Sequence, residues 1–206
     1  MKKIVLSLMV FGAFSLFGFS QTKPVKSIEG LKAAYNGEST ASAKYAKFAE
    51  AAKKEGLNNI AKMFLATSQA ETIHANNHKK VLTKLGETVG APVIGNFDVK
   101  TTAENLVDAS KGESYEVTFM YPGFIASAVA EKADGAKKSF SWAMDTEKKH
   151  NDFYQKALAA LKGGNEKTFP GEWYVCPVCG NTYDVGTLTN ECDFCGTQKA
   201  KYVIFK

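Results

Sequence analysis

From Ser27 to about Glu55, the apolar residues Leu31, Ala34, Tyr35, Tyr45, Phe48 and Ala49 recur at helical spacing. Gly56 interrupts the pattern, and a second helix is predicted from Asn58 to Leu85, closed by Gly86. So short a connection makes the two antiparallel neighbours. Gly86 to Lys100 reads as a long loop holding Gly90, Pro92, Gly95 and Asn96. Thr101 and Glu104 have the spacing of a capping box, opening a third helix that runs to about Ala133. Pro122 lies inside it and predicts a kink there. Asp134-Gly135 reads as a break, and a fourth helix is predicted from about Ala136 to Leu161, ended by Gly163-Gly164. Two helix pairs of similar length predict a four-helix bundle with internal two-fold character.

Both ends of the chain depart from this pattern. Lys2 and Lys3 precede an apolar run from Ile4 to Phe19, and Gly18-Phe19-Ser20 is small-x-small before Gln21. This is the layout of a secretory signal peptide over residues 1–20, so the mature chain is expected outside the cytoplasm, in the periplasm. An uncleaved anchor is the alternative, but the run is short for a membrane span. No Cys follows it and no twin-Arg precedes it. The remaining chain contains no span. From Thr168 onward, aromatics, Gly, Pro and all four Cys crowd together, which predicts a small second module over 166–206. The bundle then occupies 21–165.

Composition narrows the classes of partner. The chain of 206 residues is 45% apolar and 23% charged, ordinary for a globular fold. Its net charge of +5 comes from lysines dispersed along the helices, two of them in the leader. Dispersed charge of that size is no nucleic-acid patch.

The polar positions of the helices carry a second pattern. Glu71-Thr72-Ile73-His74 and Glu147-Lys148-Lys149-His150 are two Glu-x-x-His motifs, using two of the three histidines. At about 100° per residue, positions i and i+3 share a helix face, so each motif projects one carboxylate and one imidazole together. Glu38 precedes Glu71 by 33 residues and Glu113 precedes Glu147 by 34. A Glu from each of two helices and a Glu-x-x-His from each of two others is the ligand set of di-iron carboxylate bundles. Any one of these glutamates would be unremarkable on a helix surface; the set is not. Buried carboxylates without cations would be prohibitive, whereas two divalent ions offset the four charges. Mixed oxygen and imidazole ligation suits iron or manganese better than calcium.

Glu116, three residues after Glu113, is an additional acid on that face. One iron could bind His74 when reduced and Glu116 when oxidised, because ferric iron favours hard oxygen ligands. The alternative is that Glu116 faces solvent or pairs with a lysine. His78, one turn beyond His74, could stand behind the ligands, but the surface is the expected place for it. Tyr45 falls within about 20° of the Glu38 face, where its phenol could bond a ligating carboxylate. Tyr121 lies about 80° from Glu113, so spacing alone does not bring it to the site.

Cys176-Pro177-Val178-Cys179-Gly180 and Cys192-Asp193-Phe194-Cys195-Gly196 form two knuckles. Four thiolates so spaced complete a tetrahedral site for iron or zinc. An exported chain leaves disulfide pairing open as well. Trp173, Tyr174, Tyr183 and Phe194 are expected to form the module's core.

In order and spacing these features resemble the rubrerythrins over nearly all of Gln21 to Lys206. The matching elements are Gly37-Glu38-Ser39, Glu71-x-x-His74, Gly112-Glu113-x-x-Glu116, Tyr121-Pro122, Glu147-x-x-His150 and both knuckles. The resemblance implies a ferritin-like bundle holding two irons, followed by a rubredoxin-like module holding one iron on Cys176, Cys179, Cys192 and Cys195. It implies a peroxidase that reduces hydrogen peroxide to water, fed by NADH-linked or other electron donors through a donor protein. Glu116 and His74 would be exchanging ligands, with Tyr45 and Tyr121 beside the metals. It also implies a homodimer in which one subunit's module serves the other's irons. The signal peptide is the departure, since rubrerythrins are typically cytoplasmic. An iron-oxidising storage protein and a redox sensor with a zinc ribbon are the competing readings.

Overall fold

A computed structural model describes residues 22–206; the expected signal peptide lies outside the described residues. The chain is mainly helical. Helix α1 spans Val25–Lys54 and α2 spans Asn58–Lys84. They are joined at Gly56, whose φ of +80° is the left-handed value a side chain resists. Small polar residues seam the pair: the Ser42 hydroxyl donates to the Ser68 carbonyl at 2.8 Å and contacts Thr72 Oγ1 at 2.8 Å.

The N–H groups at the start of α1 find no cap in Pro24. Glu131, more than a hundred residues away, accepts from Lys26 N, Ser27 N and Ser27 Oγ at 2.9, 2.8 and 2.7 Å. The crossing segment 85–101 is pinned to α1. Val93 N donates to Asn36 Oδ1, Gly95 N to Thr40 Oγ1, and Tyr35 Oη to the Gly90 carbonyl.

Helix α3, Thr102–Tyr115, opens with the expected capping box of Thr101 and Glu104. The predicted kink takes a different form. Glu116–Met120 is a single π-helical turn, and α4 then runs Tyr121–Ala130 with Pro122 in its first turn. The wider turn sits just ahead of the residue that lacks an N–H, so the missing donor falls in a helix's first turn. The next break also differs from expectation. Asp134-Gly135 lies inside α5, Asp134–Lys162, and the chain turns at Lys132, whose φ is +55°.

The C-terminal segment forms a three-stranded antiparallel sheet in the order β2-β1-β3, with β1 Trp173–Val175, β2 Thr182–Asp184 and β3 Val203–Phe205. Its core is the four cysteines with Tyr183 and Tyr202, whose rings stack at 5.5 Å. Tyr202 was not among the expected core residues. Trp173, which was, turns the other way: it belongs to the bundle's apolar cluster and meets Phe153 edge-on at 4.8 Å.

The bundle has two apolar clusters. One gathers Tyr45, Phe48, Phe64, Leu106, Phe153 and Tyr154. The other gathers Ile28, Leu31, Leu82, Tyr121 and Phe140. The polar residues of the site lie between them, and each cluster sends one tyrosine hydroxyl inward.

Candidate metal centres

Glu38 of α1, Glu71 and His74 of α2, Glu113 of α3, and Glu147 and His150 of α5 are all buried. Their ligand atoms form two overlapping quartets, each within 4.8 Å: Glu38, Glu71, His74 and Glu147; and Glu71, Glu113, Glu147 and His150. Glu71 and Glu147 are common to both. The quasi-two-fold of the sequence repeat is therefore visible in the site. Each quartet has one Glu and one His of its own, and the two Glu of the Glu-x-x-His motifs lie between. Sequence spacing grouped these six residues but did not assign the shared positions.

The imidazoles point inward through Nδ1. His74 Nδ1 lies 2.9 Å from both Glu71 Oε2 and Glu147 Oε1. His150 Nδ1 lies 3.0 Å from Glu71 Oε1 and 2.8 Å from Glu147 Oε2. Glu38 Oε2 is buried with no hydrogen-bond partner, and the two Glu147 oxygens, equally buried, face only the histidine Nδ1 atoms. Buried, unpaired carboxylate oxygens are costly, and here they converge with imidazole nitrogens. This donor set fits two divalent ions, with Glu71 and Glu147 able to reach both.

Without cations the cluster must hold protons instead. Burial, and then the neighbouring carboxylates, push Glu38 and Glu113 well above the usual carboxylate range. Burial acts the same way on Glu71, but His150 and His74 override it and hold that carboxyl at about 2. Burial lowers both histidines, and the carboxylates more than reverse this, lifting His74 to about 10 and His150 to about 9.

Both tyrosines reach the site. Tyr45 Oη donates to Glu113 Oε1 at 2.8 Å, and Tyr121 Oη donates to Glu38 Oε1. The π-turn is what brings Tyr121 round, because an uninterrupted α-helix would leave it off the Glu113 face. His78 corrects the expectation that it lies on the surface. It is fully buried, with Nε2 3.2 Å from Tyr121 Oη and Nδ1 2.8 Å from Ser139 Oγ. Tyr121 spends its only proton on Glu38, so it accepts from His78 Nε2–H, and Ser139 donates to Nδ1. Burial and the nearby His74 hold His78 down at about 3, so it is neutral. The i+4 spacing from His74 was the available signal.

Glu116 stands apart from both quartets. It is half-buried in the π-turn and lines a cavity of about 370 Å³ with Gly37, Thr40, Lys44, Tyr45, Gly95 and Gly112. The glycines preceding Glu38 and Glu113 therefore both line this opening. Burial, then Glu147 and Glu71, raise the Glu116 carboxyl well above its usual value.

In the C-terminal module the four Sγ atoms lie within 4.8 Å of one another, with Cys176–Cys195 and Cys179–Cys192 each at 3.4 Å. A disulfide is about 2.05 Å long. A sulfur tetrahedron with bonds of about 2.3 Å has edges near 3.8 Å. The cysteines are free, and the arrangement fits a four-thiolate metal site rather than paired disulfides. Gly180 and Gly196, at φ +86° and +72°, let each knuckle turn back on its first cysteine carbonyl.

The two centres meet within one chain. Thr182 Oγ1 lies 3.0 Å from His150 Nε2, and Gly180 packs on the His74 ring. Asn77 donates to the Val178 carbonyl at 2.8 Å, and Trp142 to the Phe194 carbonyl at 3.3 Å. Lys149, set between Glu147 and His150, donates to Asn181 at 2.8 Å and lies 4.5 and 4.8 Å from the Tyr183 and Phe194 ring centroids.

A ferritin-like bundle with paired Glu/His quartets, joined to a small four-cysteine sheet, defines a class of two-centre non-haem metalloproteins. The comparisons with known proteins narrow this further. The rubrerythrin family model matches residues 29–158. Rubrerythrin-2 of Clostridium acetobutylicum is 33% identical over 178 residues, covering 85% of this chain and 94% of that one. Nigerythrin of Nitratidesulfovibrio vulgaris is 30% identical over 192 residues, 93% of each chain. A solved structure of nigerythrin, described as fully reduced and all ferrous, superposes with a TM-score of 0.79 at 29% identity, over the whole of both chains. The chain belongs to the rubrerythrin family.

Proposed function

We propose that this protein is a peroxidase that reduces hydrogen peroxide to two waters, consuming two electrons and two protons. The observation that carries the reading is the pair of interleaved quartets, whose buried, converging carboxylates call for cations, in contact with a four-thiolate site in the same chain. In this reading residues 21–165 hold an iron pair on Glu38, Glu71, His74, Glu113, Glu147 and His150. Residues 166–206 hold a third iron on Cys176, Cys179, Cys192 and Cys195.

An iron pair held by the two quartets would supply two electrons and Lewis acidity for cleaving the O–O bond, and an iron on the four cysteines would supply one-electron redox chemistry for its re-reduction. The chain supplies the rest. The two apolar clusters exclude bulk water. Tyr45 and Tyr121 fix Glu113 and Glu38 and hold protons at neutral pH, because burial raises both phenols further. Glu116 holds a proton at the cavity mouth, where substrate enters past Gly37 and Gly112. A carboxylate there also offsets the added charge of an oxidised pair.

The four-thiolate module favours this reading over iron storage, which requires no attached reductant. Replacing Glu116 with Ala is expected to slow peroxide turnover while leaving the helical signal in circular dichroism intact. Turnover equal to the parent would remove Glu116 from the mechanism.

A further inference from the structure

The buried residues around Glu38 include one imidazole to which the proposed chemistry gives no task. His78 stands behind Tyr121, and three hydrogen bonds in series run through it from Glu38 to α5. With Glu38 ionised, Tyr121 Oη donates to Glu38 Oε1 and so accepts from His78 Nε2–H at 3.2 Å. His78 Nδ1, left bare, accepts from Ser139 Oγ at 2.8 Å. Every donor in the series therefore points toward Glu38. An imidazole can take a proton on one nitrogen while giving one from the other, and a hydroxyl can do the same at its oxygen.

The series also has an inner and an outer end. Glu38, Tyr121 and His78 are fully buried, whereas Ser139 is 5% exposed. A cavity of about 520 Å³ is lined by Val81, Gly135 and Ala136, each about one helical turn from His78 or Ser139. None of Tyr121, His78 and Ser139 lines the cavity beside Glu116.

We propose that Ser139 and His78 form a proton relay that recharges Tyr121 from solvent, a second route separate from the Glu116 cavity. This rests on the reading that the quartets hold an iron pair that reduces peroxide, a reaction that takes up two protons. The Tyr121 Oη–H bond breaks as its proton passes to a reacting oxygen. His78 gives its Nε2 proton to Tyr121 Oη and takes the Ser139 Oγ proton on Nδ1, and Ser139 takes a proton from solvent. One proton enters, and no charge is left in the relay. His78 ends as the Nδ1–H tautomer, and a flip of its ring resets it. His78 and Ser139 act through Tyr121 and touch no substrate.

The direction of the relay is measurable without peroxide. In the full-length chain loaded with zinc and carrying isotope-labelled histidine, nitrogen NMR is expected to find the His78 proton on Nε2. The bare Nδ1 resonance is expected to move in Ser139→Ala. A proton on Nδ1 in the parent would reverse the series and overturn the proposal.

The use of the relay is read by mixing reduced, iron-loaded protein with one equivalent of hydrogen peroxide in light and heavy water. His78→Gln keeps a donor toward Tyr121 and an acceptor toward Ser139, but an amide passes no proton. It is expected to slow oxidation of the protein about tenfold or more and to raise the solvent isotope effect. Ser139→Ala is expected to do the same, and Ser139→Thr to recover the loss. Parent rates in His78→Gln and Ser139→Ala, or slower rates with the parent's isotope effect, would overturn the relay. A parent that peroxide does not oxidise would overturn the peroxidase reading on which the relay rests, with the nitrogen spectra unaffected.

Discussion

The two knuckle glycines offer a matched perturbation. Gly180 and Gly196 occupy equivalent turns at φ +86° and +72°, so replacing either with Ala incurs a left-handed backbone cost of about 1–2 kcal/mol. Their surroundings differ. A Cβ at Gly196 would meet only Glu191 Oε1, at 3.1 Å, the end of an exposed side chain that can swing away. A Cβ at Gly180 would stand 2.3 Å from His74 Nε2, 2.6 Å from His74 Cδ2 and 3.2 Å from the Ala70 carbonyl. His74 is held by Glu71 and Glu147 and cannot retreat, so the module must lift instead. Lifting breaks the Thr182–His150, Asn77–Val178 and Trp142–Phe194 hydrogen bonds and the Phe153–Trp173 ring pair. At about 1 kcal/mol for each, partly recovered from water, the additional loss is about 2–4 kcal/mol. Both tryptophans of the chain sit at this surface, so emission reports docking directly. In zinc-loaded protein, Gly180→Ala is expected to shift tryptophan emission to the red and to lower stability by more than Gly196→Ala, which should leave emission unchanged. Equal emission and equal cost in the two variants would refute the packing argument.

Two further outcomes follow from the buried charges. In the metal-free protein Glu38, Glu113 and Glu116 are raised above their ordinary 4.5, and His74 and His150 above 6.5 to about 10 and 9, so the folded chain binds these protons more tightly than the unfolded one. The stability they lend is complete below the unfolded values and is lost as pH rises through the folded ones; Glu71, at about 2, and His78, at about 3, act the other way and lose their contributions as pH falls from 4.5 and 6.5, but they are outnumbered by the raised groups. The melting temperature without metal should therefore fall from pH 5 to pH 9, and a calorimetric scan that rose over that range would contradict the cluster. Tyr121→Phe removes the donor to Glu38 and strands His78 Nε2, which is expected to cost about 1–3 kcal/mol in denaturant unfolding and to slow peroxide turnover; unchanged values in both assays would remove Tyr121 from the network.

Much of this site is local in origin, and that part is legible in the sequence. Glu71 and His74 share a face because helices turn by a fixed angle, and so do Glu147 and His150. The 33- and 34-residue intervals carry Glu38 and Glu113 to matching heights in the paired helices. Thr101-x-x-Glu104 and the Cys-x-x-Cys-Gly knuckles are likewise set by neighbours in the chain. What escaped is long-range. His78 is buried because Tyr121 and Ser139, from two other helices, satisfy both its nitrogens. Glu131 caps α1 from the far end of α4. The π-turn at Glu116–Met120 has no periodic signature beyond Pro122, yet it aims Tyr121 at the site and places Glu116 at the cavity rather than in a quartet. Trp173, expected inside the small module, instead fastens it to the bundle.

The central claim is most directly tested by metal analysis and visible spectra of natively purified protein, reduced and then given one equivalent of hydrogen peroxide. About three irons per chain are expected, with a rubredoxin-like colour that bleaches on reduction and returns with peroxide. Colourless protein with zinc on its four cysteines, unresponsive to peroxide, would contradict it.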